Sequence, residues 1–76
     1  MIERRPVHEV LAANLHRFAF EQNLTLEAVA LAAGISLERL QAICAGEFDP
    51  DLDLVHRIAH AVGVTSSELL AEPNYN

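Results

Sequence analysis

Residues 25–46 read TLEAVALAAGISLERLQAICAG, two cap-helix-glycine units in succession. Thr25 has the side chain of a helix N-cap, whose oxygen accepts a hydrogen bond from an amide of the first turn. A helix-forming run over residues 26–33 follows and stops at Gly34, a residue free to take the left-handed conformation that closes helices. Ser36 repeats the cap, residues 37–45 repeat the helix, and Gly46 repeats the stop. Only the tight Ala33-Gly34-Ile35-Ser36 connection joins the two. A glycine-bearing turn this short between two helices makes a helix-turn-helix unit, here about residues 25–45.

The same punctuation extends to both sides. Pro6 suits the opening turn of a first helix, which runs to about Gln22 with Val7, Val10, Leu11, Leu15 and Phe18 on one stripe. A fourth helix starts at Asp51, behind Asp49-Pro50, and ends at Gly63. Thr65-Ser66-Ser67-Glu68 is a capping box opening a short fifth helix, about residues 66–71, closed by Pro73. No alternating apolar and polar run calls for a strand. The expected fold is an all-α, five-helix bundle in one domain, residues 1–76. A chain this short buries about 60% of its unfolded surface, enough for one thin core and too little for a deep cleft.

The order Leu24-Thr25, Ala30, Gly34-Ile35-Ser36, Gly46, Pro50, Ile58-Ala59, Val62-Gly63-Val64-Thr65 and Glu68-Leu69-Leu70 resembles, without a gap, the lambda-repressor-like (Cro/XRE-type) helix-turn-helix family. The resemblance implies a small sequence-specific DNA-binding transcriptional regulator, double-stranded DNA as partner, and a homodimer. Its third helix would enter the major groove, with helix two and the flanking loops against phosphates. Carried onto this chain, the DNA-facing set is Thr25, Ser36 and Leu37 at the caps, then Glu38, Arg39, Gln41 and Ala42. Arg39 suits guanine O6 and N7, Gln41 suits adenine, Glu38 can accept from cytosine N4, and Ala42 can meet a thymine methyl. On the helical wheel Leu37, Leu40, Ile43 and Cys44 fall on the core side. Related domains often dimerise through their last helices, which points to Leu69 and Leu70; Ala13, His16 and Phe20, together on the outer face of helix one, form a second contact patch.

The copy departs from the family where phosphates are gripped. Leu26 stands where many members carry glutamine, and the loop after helix three reads Glu47-Phe48-Asp49 where members are often basic. A frequent arginine–glutamate pair between helices one and three is replaced at both ends, by Ala19 and Cys44, which leaves no lone buried charge. Eleven acids face five arginines, a net charge of −6 with no lysine, and residues 24–53 alone hold −5. Counting Arg39 and one or two of Arg4, Arg5 and Arg17, about one to three phosphates per protomer would be neutralised, which predicts a shallow salt dependence. An Arg4-Arg5 arm would suit a minor groove. The acidic centre supports a second possibility, an interaction module that kept the scaffold and lost DNA affinity, pairing with a protein partner.

Other chemistries find little support. His56 and His60 stand at i, i+4 on helix four, a metal-compatible spacing without a third ligand nearby. Ser36, Ser66 and Ser67 are caps or cap neighbours, and no glycine-rich phosphate loop is present, so neither an enzyme nor a cofactor is expected. Cys44 reads as a packing residue, and Phe20 as near enough to the chain end for Tyr75 to cover it. The longest uncharged stretch is far below the roughly 20 residues of a membrane span. With no apolar leader after Met1 and one cysteine, a soluble cytoplasmic domain is expected.

Overall fold

In the computed structural model, residues 6–71 can be described, and they form five helices: α1 (Val7–Glu21), α2 (Leu26–Ala33), α3 (Leu37–Cys44), α4 (Leu52–Ala61) and α5 (Ser66–Leu70). No strand occurs among the described residues. The expectations for Arg4, Arg5, Pro73 and Tyr75 concern residues outside this range.

Each cap performs as its side chain dictates. The hydroxyls of Thr25 and Ser36 accept from the amides of Ala28 and Arg39 at 3.0 and 3.1 Å. Asp51 is the N-cap of α4, with Oδ1 accepting from Leu54 at 2.8 Å, so the helix starts one residue later than expected. Thr65 and Glu68 complete the capping box in both directions.

The helix ends share a single device. In α1 to α4 a residue with positive φ (Asn23, Gly34, Gly46 or Gly63) follows the last turn. In every case the next amide reaches back five residues: Leu24 to Ala19, Ile35 to Ala30, Glu47 to Ala42 and Val64 to Ala59, at 2.8–3.0 Å. This is the Schellman closure, and its usual apolar residue after the turn is present three times, as Leu24, Ile35 and Val64, all packed on the core. The exception is Glu47, exposed at the end of α3. That closure also stops α3 at Cys44 with Ala45 as its cap, one residue short of the expected span.

The core joins Leu11, Leu15, Ala19, Val29, Leu40, Ile43, Ile58 and Val62 with Leu69 of α5, all at 3% exposure or less. Helix α2 packs on α4, and α1 on α3 and α5. One member of the expected α1 stripe sits otherwise: Val7, in the first turn, projects past the core edge at 69% exposure, while Phe18 is half-buried against the core. Asn14 is buried instead, its amide donating to the carbonyls of Leu69 and Ala71, 2.7 Å each. One polar side chain thus fastens the last helix to the first and satisfies two carbonyls at a C-terminus.

Candidate nucleic-acid interface

Capped at Ser36 and anchored by Leu40 and Ile43, both fully buried, α3 turns one face outward. Glu38, Arg39 and Gln41 are exposed on it, while Ala42, between Glu38 and Arg39 on the helix, and Leu37 are half-buried. The residue types that can read base edges therefore point to solvent. Thr25 and Ser36 are exposed beside them. Each hydroxyl accepts from its own helix, and the O–H of each stays free to donate to a phosphate oxygen.

Every described arginine has a neighbour of its own. The Arg17 guanidinium lies 4.6 Å from the centroid of the Phe18 ring. Arg57 pairs with Asp53 at 3.4 Å on the exposed side of α4, and its Nη1 reaches the turn, where a Cβ on Gly34 would meet it at 3.3 Å. Arg39 stacks over Phe48, 4.7 Å from the centroid. The i, i+4 spacing of Asp53 and Arg57 is a signal for their ion pair in the sequence, whereas nothing in it announced that the chain after Gly46 brings Phe48 back to Arg39. Along the chain from the end of α3 into α4, Glu47, Asp49, Asp51 and Asp53 are all exposed, the last paired with Arg57. The loop after α3 is a negative rim.

The contact residues on other faces divide. Ala13, His16 and Phe20 are exposed, Phe20 at 82%. Leu69 corrects the expectation, because its side chain is fully buried in the core and has no surface to offer a partner. Leu70 is half-buried and lines a recess of about 480 Å³ with Val7, His8, Leu11, Leu52 and Val55. Cys44 is half-buried, and burial pushes its thiol pKa above the ordinary value. His56 engages Ser66 Oγ through Nδ1 at 3.2 Å. No group of three metal-ligating side chains gathers among the described residues, and no helix there is long and apolar enough to cross a membrane.

An outward third helix on a capped helix-turn-helix scaffold defines a class, the DNA-binding regulators. The helix-turn-helix family matches residues 19–69, and the chain belongs to it, in its Cro/C1 (XRE-like) branch of DNA-binding transcription regulators. Among solved structures, the chain is similar to a hypothetical transcription factor, NHTF, from Neisseria, at 23% identity and TM-score 0.84, over 96% of this chain and 84% of that one. It is also similar to the clp gene regulator ClgR from Corynebacterium glutamicum, at 25% identity and TM-score 0.79, over 90% of this chain and 72% of that one. A second ClgR structure gives 25% identity and TM-score 0.76, over 88% and 87%. No curated protein matches.

Proposed function

We propose that the protein is a sequence-specific transcriptional regulator of the XRE type that binds duplex DNA in the cytoplasm as a homodimer. The observation that carries this reading is the outward display of Glu38, Arg39 and Gln41 on a helix whose other side is locked into the core. Arg39 and Gln41 read base edges, and Thr25 and Ser36 set the register through phosphates. Two copies meet through the recess that the exposed Val7 and Leu52 line with Leu70, with Ala13, His16 and Phe20 as the alternative. The test is selection from a randomised duplex pool at low salt, followed by titration of the enriched duplex. Arg39→Ala is expected to weaken binding about tenfold or more, since a bidentate arginine contact contributes about 1–3 kcal/mol of discrimination. Equal inertness of both proteins at tens of micromolar contradicts the proposal.

One observation favours a second reading. Four exposed carboxylates, Glu47, Asp49, Asp51 and Asp53, follow α3 where a polyanion would approach. In that reading the scaffold binds a basic protein partner and leaves DNA alone. Tight duplex binding by the wild-type protein removes it.

A further inference from the structure

Phe48 belongs to no part of the recognition helix, yet its ring lies under the one arginine that helix displays. We infer that Phe48 is a positioning residue: it holds the Arg39 guanidinium in a fixed plane, with its N–H donors free, for a bidentate acceptor on the duplex. This rests on the DNA-binding reading above.

The physical reasons are three. A guanidinium carries five N–H donors in one plane, and the ring, with Arg39 Cζ 4.7 Å from its centroid, offers no lone pair to engage them. A carboxylate partner would use two. Glu47 and Asp49 flank Phe48 in sequence and are exposed, but Arg39 makes no ion pair within 4.0 Å among the described residues. Arg39 is thus steadied by the ring and not by the acids beside it. Moreover, a long exposed side chain loses rotamer entropy when it docks, and a stacked one has already lost part of it. In a rim this acidic, the ring keeps the available cation oriented outward.

Two acceptors share the required geometry, the guanine O6/N7 edge and a pair of phosphate oxygens. The experiment separates them. Wild type, Phe48→Leu, Phe48→Tyr, Arg39→Ala and the Phe48→Leu/Arg39→Ala double variant are titrated against the duplex enriched by the wild type, and against single-base variants of it, at several salt concentrations. Phe48→Leu keeps an apolar group without a π face and is expected to weaken binding about two- to fivefold, the range of an exposed cation–π contact. Phe48→Tyr is expected to bind as the wild type does. In the Arg39→Ala background Phe48→Leu is expected to add nothing. A loss confined to one base pair assigns the acceptor to guanine, and a uniform loss with a shallower salt slope assigns it to phosphate; either supports the inference. Unchanged or tighter binding by Phe48→Leu overturns it, as does an undiminished effect without Arg39. A wild-type protein that enriches no duplex removes the regulator reading and this inference together, whereas wild-type binding with an indifferent Phe48 removes the inference alone.

Discussion

Asn14 is a polar side chain at 2% exposure, in the middle of an apolar helix face. Its amide satisfies two carbonyls at the far end of the chain, 55 and 57 residues away. Truncating it leaves the buried Leu69 carbonyl without a partner and that of the exposed Ala71 with solvent alone. Asn14→Ala is therefore expected to lower stability by about 1–3 kcal/mol in urea unfolding, with α5 losing hydrogen-exchange protection first. No loss, or a loss spread evenly over the helices, contradicts the tether. Cys44 makes a second residue-scale case. Burial raises its pKa in the folded state, so the neutral thiol is the form the fold favours. The associated stability is fully present below the unfolded value of 9.0 and is lost as pH rises through the folded one. Urea midpoints of the wild type and Cys44→Ala between pH 8 and 10 should show the wild type falling more steeply; parallel curves contradict it. Roles such as these are hard to read in sequence. Asn14 looks like any polar residue on a helix until its distant partners are placed, and Phe48 looks like a lone aromatic until the chain folds it beneath Arg39.

At the scale of elements, reading succeeded where the physics is local. A cap needs only its own first turn, so Thr25, Ser36 and Thr65 were each legible, as were the glycine stops, whereas Asp51 was read as the first residue of α4 and is its N-cap. Asn23 was missed as the closing residue of α1, because asparagine takes positive φ less regularly than glycine and signals it weakly. Val7 was misplaced because periodicity gives a direction around the helix but not where the core ends along it. The closing residue of α3 carries a sharper consequence. Gly46 has φ +81°, and a Cβ there would stand 2.8 Å from the His8 ring of α1. Gly46→Ala is expected to destabilise more than Gly63→Ala, whose Cβ meets only the flexible end of Gln22 at 3.3 Å. Thermal unfolding of the two variants checks the order, and a reversed order contradicts it. At the same helix end, Glu47 places a carboxylate beside the negative pole of α3, in the position where three sister closures bury an apolar side chain. Glu47→Lys should therefore leave the fold at least as stable.

The whole molecule combines an inherited shape with an altered field. The family, the five helices and the outward face of α3 were legible in the sequence, since small-residue and glycine spacing record packing and turns directly. The field follows from composition: a net charge of −6, with carboxylates exposed around the loop after α3. Few phosphates can be neutralised by such a surface, so the slope of log affinity against log salt should be shallow, about −0.9 per phosphate contact. A steep slope, with many counterions released, would mean that the acids lie away from the duplex.

On the function proposed above, the scaffold reads DNA through α3, with its grip limited by the acids that follow that helix. Duplex titration of the Glu47→Lys/Asp49→Lys variant at low salt, beside the wild type and on the same enriched duplex, tests it most directly. The account predicts tighter binding by the variant, a salt slope steeper by about two phosphate contacts, and an unchanged order of preference among base variants. Unchanged affinity, with both slopes alike, would contradict it.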